Sequence, residues 1–163
     1  MDRTSATPET GTGDYEFTSD WFSGGIPIWE PLLAGLKPAR ILEIGSFEGR
    51  STCYLIETCS RTTHIEICCI DTWEGGIEHD KKTMPKVERR FDHNVAIAKK
   101  RASHGAVVKK LKKKSVTALA EILSSNEPPF DLIYVDGSHQ AVGRLDGLDH
   151  CLSVVTGGRC DDL

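Results

Sequence analysis

The chain has 163 residues, which is enough for one domain with a substantial core and short for two. Hydrophobic residues make up 39% of the sequence and charged residues 27%, proportions that are ordinary for a globular protein. The net charge of -4 excludes a general attraction to nucleic acid or anionic membranes, and no apolar run approaches the roughly 20 residues of a membrane span.

The N-terminal segment is rich in Thr, Ser, Gly and Pro and lacks the apolar stretch of a secretion signal. We expect residues 1–13 to be a disordered leader and residues 14–163 to be a single domain. The six cysteines form no CxxC pair, and Cys68 and Cys69 are adjacent in a predicted strand, where they point to opposite faces. This pattern favours reduced, mostly buried thiols in a cytoplasmic protein, and a disulfide-bearing exported chain is the alternative.

Strand-like and helix-like segments alternate along the chain. A helix beginning near Pro31 comes first. After it, the periodicity predicts strands at 39–44, 64–70, 106–111 and 130–135 and helices at 50–59, 86–101, 116–123 and 142–152. Near-continuous apolar strands between helices predict an α/β fold with a parallel sheet covered on both faces. Ligands in such sheets bind beyond the carboxyl ends of the strands, so the residues there are the candidates for function.

The first strand runs into the segment ILEIGSFEGRST, residues 41–52. Glycine at a strand end allows a close backbone approach, and the helix N-terminus that follows suits a carboxylate or phosphate. Phe47 occupies the third position of a dinucleotide fingerprint, where that motif has glycine, and no Gly-Lys-Ser/Thr of a P-loop follows. Glu43 would repel a pyrophosphate but could pair with an ammonium group. The segment therefore predicts a ligand with both charges, and a tight turn with a structural carboxylate is the alternative.

The ends of the other strands carry further candidates. Asp71 follows the second strand at an offset of about 22 residues from the glycine turn, where an acid hydrogen-bonds ribose hydroxyls or simply caps a loop. Trp73 could cover an aromatic base or belong to the core. Ser115 could cap the helix after the third strand and lie near a base. Asp136 and His139 follow the fourth strand as an acid–base or metal arrangement, or His139 is a surface residue.

Two further groups of residues stay open to more than one interpretation. Lysines and an arginine concentrate between residues 99 and 114, where a solvated face is favoured over a nucleic-acid contact because no aromatic residues interleave. Trp21, Phe22 and Trp29 either cover the site or form part of the core.

Taken together, these motifs resemble those of the class I S-adenosylmethionine-dependent methyltransferases. EIGSFEGRST is similar to the Glu-x-Gly-x-x-x-Gly-x-Ser form of catechol-type O-methyltransferases, and CIDTWEGG is similar to the second motif of the family. FDLIYVDGSHQA resembles a motif of a subgroup that includes sugar and macrolide O-methyltransferases. The resemblance covers about residues 20–158 and implies a Rossmann-like, mostly parallel sheet with helices on both faces.

The resemblance also implies a function and a set of site residues. The expected reaction is O-methyl transfer from S-adenosylmethionine to a small hydroxylated acceptor, with His139 as the base and Asp136 beside it. An Mg²⁺ ion bound by Asp136, Asp161 and Asp162 would assist. The residues expected to bind the cofactor are Glu43, Gly45, Ser46, Gly49, Ser51, Asp71, Thr72, Trp73, Ser115 and Asp136.

The sequence departs from the family pattern near its C-terminus. The family has a full fifth strand after Gly158, whereas only Arg159 and Cys160 precede Asp161 here. We therefore expect a C-terminally incomplete domain that lacks the last strands of the family. The alternatives are a catalytically inactive S-adenosylmethionine-binding remnant or fragment, and a sheet completed by a partner chain, such as a homo-oligomer formed through the exposed edge. A nucleic-acid-binding module and an NAD-dependent dehydrogenase are the weakest alternatives.

Overall fold

A single five-stranded sheet organises the computed structural model, which describes residues 14–75 and 83–136 and the backbone of 153–155. Its strands are β1 (Arg40–Ile44), β2 (Ile65–Asp71), β3 (Ala106–Lys112), β4 (Leu132–Val135) and β5 (Ser153–Val155). The order is β3-β2-β1-β4-β5, with β1 to β4 parallel and β5 antiparallel to β4. The predicted Rossmann-like, mostly parallel α/β fold is therefore confirmed.

The described residues contain helices α1 (Ile26–Leu36), α2 (Arg50–Cys59), α3 (Met84–Arg101) and α4 (Ser115–Ser124). The prediction that α1 begins near Pro31 is wrong, because Pro31 lies inside it. Pro27 sits in the first turn, where no N–H is needed, and burial of Trp29 and Leu33 offsets the hydrogen bond that Pro31 removes. None of the helices in the described residues combines the length and apolar character needed to cross a membrane.

The strand β5 was not predicted from the sequence. Its backbone pairs Val154 with Tyr134 and Val155 with Ile133 at the edge of β4. A parallel sheet tolerates one antiparallel edge strand, so the pairing does not disturb the rest of the sheet. The predicted leader at 1–13, helix at 142–152 and turn at 157–158 lie outside the described residues.

The sheet separates two apolar clusters. On one face, side chains of β1 and β2 pack with α1, α2 and α3; on the other, Leu42, Cys68 and Ile70 pack with α4. Cys69 belongs to the first cluster and Cys68 to the second, which confirms the prediction that they point to opposite faces. The four described cysteines, Cys53, Cys59, Cys68 and Cys69, are free and buried; Cys151 and Cys160 lie outside the described residues.

The edge strand β3 and the residues after it carry the basic patch seen in the sequence. Four of its lysines pair with carboxylates: Lys109 with Glu127 at 2.6 Å, Lys110 with Asp92 at 2.7 Å, and Lys112 and Lys113 with Glu88 and Glu121 at 2.5 Å. Surface pairs of this kind add little stability, but they cancel much of the local charge. Lysines on an edge strand also disfavour pairing with another strand.

Candidate functional site

The ligand turn, residues 45–49, connects β1 to α2 at the carboxyl edge of the sheet. Gly45 and Gly49 have φ values of 89° and 79°, and Phe47 has 48°, all in the left-handed region. Gly45 N–H donates to the carbonyl of Ile70 over 2.8 Å, which fixes the turn against β2. A Cβ at Gly49 would lie 3.0 Å from the ring of Phe91, itself 1% exposed, so the turn requires glycine there.

Glu43, on β1 directly before the turn, stabilises the turn through hydrogen bonds. Its side chain is fully buried, and its carboxylate accepts hydrogen bonds from Ser46 (2.6 Å), Ser51 (2.6 Å) and Thr52 (2.5 Å). Burial raises the pKa of this carboxyl above its usual value, and the three hydroxyl groups oppose that shift. The sequence suggested that Glu43 pairs with a ligand ammonium group. In the structure its contacts are with hydroxyl groups of the chain, so Glu43 acts on the shape of the turn, and direct contact with a ligand stays a prediction.

Asp71, at the end of β2, contacts the same turn. Its Oδ2 accepts the N–H groups of Ser46 (3.0 Å) and Phe47 (2.9 Å), and its Oδ1 accepts the N–H of Trp73 (2.8 Å). The N–H groups of Ser46 and Phe47, which the sequence suggested were available to a ligand, therefore donate to this carboxylate. A carboxylate has about four acceptor positions, so one position, on Oδ1, remains beyond these three bonds.

Thr72 and Trp73, the two residues that follow Asp71, do not present a flat exposed surface to a ligand. Trp73 is 3% exposed; its ring centroid lies 4.9 Å from that of Phe91, and its Nε1 donates to the carbonyl of Phe47 over 2.9 Å. The core alternative for Trp73 is thus the one that the structure shows, because the ring packs under the turn. Thr72 is half-buried and accepts the N–H of Glu74 through its hydroxyl over 3.2 Å.

The end of β3 lies beside Asp71, because Lys113 N–H donates to the Asp71 carbonyl over 3.0 Å. Ser115 is the first residue of α4, Lys114 occupies the N-cap position, and no side-chain cap hydrogen bond is present. The predicted capping role of Ser115 is therefore wrong. The helix begins one residue earlier than predicted, which moves Ser115 from the cap position into the first turn.

Asp136 completes the described part of the edge. Its N–H donates to the Ile44 carbonyl over 2.7 Å, and its exposed carboxylate accepts the hydroxyl of Tyr134 over 2.8 Å. Burial and the nearby Asp136 charge raise the pKa of Tyr134, so its hydroxyl stays a donor. No group of three or more His, Cys, Asp or Glu within the described ranges could hold a metal. His139, Asp161 and Asp162 lie outside those ranges.

The aromatic residues before α1 separate into core and surface. Phe22 and Trp29 are 8% and 1% exposed, and Trp29 makes an edge-to-face contact with Tyr134 at 5.1 Å. Trp21 is 61% exposed, and its ring centroid lies 5.5 Å from that of Phe47 in the ligand turn. Of the three, only Trp21 presents much of its ring at the candidate site.

Comparison with known proteins identifies this arrangement. A sequence profile described as a methyltransferase domain matches residues 42–158, more than half of the chain. The chain belongs to this methyltransferase family. Its fold is that of the class I S-adenosylmethionine-dependent methyltransferases, with the ligand turn, Asp71 and Asp136 on one edge of the sheet. No protein with a curated description matches the sequence.

Solved structures similar to this methyltransferase-family chain include an O-methyltransferase from Bacillus cereus in complex with SAH. It has 17% sequence identity and a TM-score of 0.47, and the match covers 74% of this chain and 47% of that one. A provisionally named O-methyltransferase from Klebsiella pneumoniae has 19% identity and a TM-score of 0.46, with coverages of 74% and 46%. The chain thus spans about half the length of these structures.

Two residues at the site of this methyltransferase-family chain were missed from the sequence. Glu48, within the turn, is 2% exposed, and Asn94, on α3, is fully buried. Both are polar residues, a type that is more often found on the surface than in the core. A clue existed for Asn94, since it lies three residues after Phe91 on the apolar face of α3, where a polar residue must find hydrogen-bond partners.

Proposed function

We propose that the chain is an S-adenosylmethionine-dependent methyltransferase that transfers the methyl group to the oxygen of a small hydroxylated acceptor. The observation that carries the proposal is the family match over residues 42–158, together with the ligand turn, Asp71 and Asp136 on one edge of the sheet. The Bacillus cereus neighbour was solved with SAH, the product that such a transfer leaves behind.

The cofactor is proposed to lie along this edge with its nucleoside toward β2. Asp71 would accept one ribose hydroxyl at the remaining position on Oδ1, while its other bonds keep the turn in place. Gly45, Gly49 and Thr72 would offer backbone and hydroxyl contacts. Glu43, Ser46 and Ser51 would act through the shape of the turn, because all three side chains are buried in it.

The acceptor is proposed to lie on the side of β1 and β4. The ring centroids of Phe22 and Tyr134 lie 6.4 Å apart, so the segment that carries Trp21 passes near β4. The exposed Trp21 ring beside Phe47 would then contact an apolar part of the acceptor. Stacking of a flat group on an indole adds about 0.5–1.5 kcal/mol beyond the buried area.

In the proposed transfer, the acceptor oxygen attacks the methyl carbon in line with its bond to sulfur. The O–C bond forms, the C–S bond breaks, and its electron pair neutralises the sulfonium to give S-adenosylhomocysteine. His139 is the proposed base that takes the hydroxyl proton, and Asp136 is the proposed carboxylate beside it. Positioning of the two substrates would supply much of the rate.

A divalent metal fits the described residues only in part. Asp136 offers one exposed carboxylate of the kind that Mg²⁺ prefers, and the other proposed ligands, Asp161 and Asp162, lie outside the described ranges. When bound there, the ion would lower the pKa of the acceptor hydroxyl. Activity measured with Mg²⁺ and with EDTA separates a metal-assisted reaction from one driven by the base alone.

Calorimetry with S-adenosylhomocysteine tests the cofactor site, and the chain offers a matched control. Asp131, at the opposite edge, accepts two successive N–H groups through Oδ2, those of Ala39 (2.9 Å) and Arg40 (2.8 Å), as Asp71 does for Ser46 and Phe47. We expect D71N to weaken binding about tenfold or more and D131N to leave it unchanged, with similar losses of stability. Equal affinities for the two variants, or no binding by the wild type at millimolar ligand, would contradict the proposed site.

Methyl transfer to a panel of hydroxylated acceptors, followed by mass spectrometry, tests the reaction. We expect H139A to lower the turnover number by a factor of about 100 or more while the cofactor affinity stays within twofold of the wild type. Cofactor binding without transfer to any acceptor would instead support the alternative of an inactive S-adenosylmethionine-binding protein.

A further inference from the structure

Residues 14–20, which we name the N-terminal strap, lie outside any helix or strand and contact α2 and α3. Their side chains alternate between exposed and half-buried positions. Tyr15 donates to Glu57 of α2 over 2.6 Å, and Ser19 accepts from Arg50 Nε over 3.1 Å through its carbonyl. Both ends of the strap are therefore attached to α2, the helix that directly follows the ligand turn.

Between these ends, the strap contacts Glu48 of the ligand turn. Oε2 of Glu48 accepts the Thr18 N–H over 2.6 Å, and Oε1 accepts the Thr18 hydroxyl over 2.7 Å. Arg90 of α3 contacts the same Oε1 over 3.0 Å. A carboxylate that is 2% exposed and accepts three such bonds is costly to release, because any bond lost leaves a buried charge less well solvated.

Asn94 joins the strap to the backbone of the turn. Its Nδ2 donates to the Glu48 carbonyl over 2.8 Å and to the Glu16 carbonyl over 3.0 Å, and its Oδ1 accepts the Glu16 N–H over 2.7 Å. Side chain and backbone of Glu48 are thus both bound from the same direction. The strap and the turn are separated by about 30 residues in sequence but form one hydrogen-bonded unit in space.

The position of Glu48 explains why these bonds bear on the ligand. It lies between Phe47 and Gly49, which both have left-handed backbone conformations. A non-glycine residue in the left-handed region persists only where its surroundings impose the conformation. Glu43 and Asp71 impose it from the sheet side, and the contacts of Glu48 impose it from the strap side.

We propose that Glu48 is a positioning residue for the ligand turn and that the N-terminal strap, through Thr18, sets the affinity of the turn for the cofactor. The inference rests on the proposed function, since the ligand of the turn is S-adenosylmethionine there. Loss of the strap contact leaves the fold in place and allows the turn to leave its binding conformation. The affinity then falls in proportion to the fraction of molecules in which the turn keeps its binding conformation.

Thr18 variants test the proposal without changing the turn itself. T18V removes the hydroxyl and keeps the shape of the side chain, and T18S restores the hydroxyl. Thr62 gives the matched control, since it is also exposed and its hydroxyl donates to the Cys59 carbonyl over 3.2 Å, away from the turn. By calorimetry with S-adenosylhomocysteine, well below the melting temperature, we expect about tenfold weaker binding for T18V and E48Q. T18S and T62V should stay within twofold of the wild type.

Two further readouts separate positioning from a general loss of stability and from failure of the proposed function. In methyl-transfer assays, T18V should raise the KM for the cofactor and leave kcat within twofold. Hydrogen exchange needs no ligand: the Gly49 amide, which donates to the Ser46 carbonyl over 2.7 Å, should exchange about tenfold faster in T18V than in T18S or T62V. No binding by the wild type would refute the proposed function alone. Unchanged exchange in T18V, or unchanged affinity in T18V where the wild type binds, would overturn the role of the strap.

Discussion

Removal of the Glu43 carboxylate is the most direct test of how the ligand turn is built. E43A leaves the hydroxyl groups of Ser46, Ser51 and Thr52 without their buried acceptor. A hydrogen bond to a charged group contributes about 1.5–3 kcal/mol, so three such bonds sum to roughly 4.5–9 kcal/mol. Relief of the carboxylate's desolvation returns several kcal/mol of this. We expect E43A to lower the free energy of unfolding by about 2–4 kcal/mol.

E43Q separates the hydrogen bonds from the charge. The amide oxygen still accepts hydroxyl groups, and the amide nitrogen can donate to a rotated hydroxyl, so we expect E43Q to lose less than about 1.5 kcal/mol. Its stability should also respond differently to pH. Burial raises the pKa of Glu43 in the folded protein above the ordinary value of 4.5, so the folded state binds the proton more tightly than the unfolded state does. Wild-type stability therefore falls, relative to that of E43Q, as the pH rises from 4.5 through the raised pKa.

Urea unfolding followed by tryptophan fluorescence between pH 4 and pH 8 measures both effects. Other carboxylates titrate alike in the two proteins and cancel in the difference between them. That difference should change by at most about 1.4 kcal/mol for each pH unit in the window where only the folded state is protonated. Equal losses for E43Q and E43A would refute the account in which Glu43 serves as an acceptor. A difference that does not vary with pH would refute the raised pKa.

Three further predictions address the turn, the tyrosines and the cysteines. G49A and G105A both place a side chain at a left-handed φ, 79° and 82° respectively. G49A should lose about 2–3 kcal/mol because its new Cβ also meets the buried Phe91 ring at 3.0 Å, whereas G105A should lose only about 1 kcal/mol because its contact at 3.1 Å is with the exposed His64 ring. Equal losses in urea unfolding would contradict this. All three tyrosines of the chain have raised pKa values, chiefly through burial, so the native protein should show little tyrosinate absorbance at 295 nm at pH 10.5, where the denatured protein shows most of it. Burial raises the pKa of Cys59 to about 12, and it also raises the pKa values of the other three described cysteines. Peptide mapping after iodoacetamide treatment of the native protein at pH 8 should therefore find these four thiols unlabelled. Labelling equal to that of the unfolded chain would contradict their burial.

The order of the elements could be predicted from the sequence because each signal is local. The apolar strands β1, β2 and β4 and the 3.6-residue spacing of α3 give boundaries that agree with the structure within two residues. Local signals fail where tertiary contacts decide the outcome. Pro31 suggested the start of a helix, but burial of Trp29 extends α1 backward through it. The strand β5 has three residues and depends on pairing with β4, which periodicity does not reveal.

The candidate site was predictable in its location and less so in its contacts. The carboxyl ends of parallel strands meet at one edge, so the placement of the ligand turn, Asp71 and Asp136 together follows from fold class alone. Which atoms each carboxylate contacts does not follow. Glu43 and Asp71 were expected to face a ligand, and in the structure both also bind donors of the chain: the buried Glu43 binds hydroxyl groups and the half-buried Asp71 binds N–H groups of the turn.

The turn is therefore held by three carboxylates, Glu43 on β1, Glu48 within the turn and Asp71 at the end of β2. Glu43 binds its hydroxyl groups, Asp71 binds its N–H groups, and Glu48 connects it to the strap. Phe47 and Gly49 hold left-handed backbone conformations, and loss of any one of these three sets of contacts removes a constraint on them. Binding of a ligand at this edge then selects the conformation that all three stabilise, and weakening any one of them raises the free energy that the ligand must supply. We therefore expect the affinity of the site to depend on the contacts that hold the turn as well as on the groups that face the ligand.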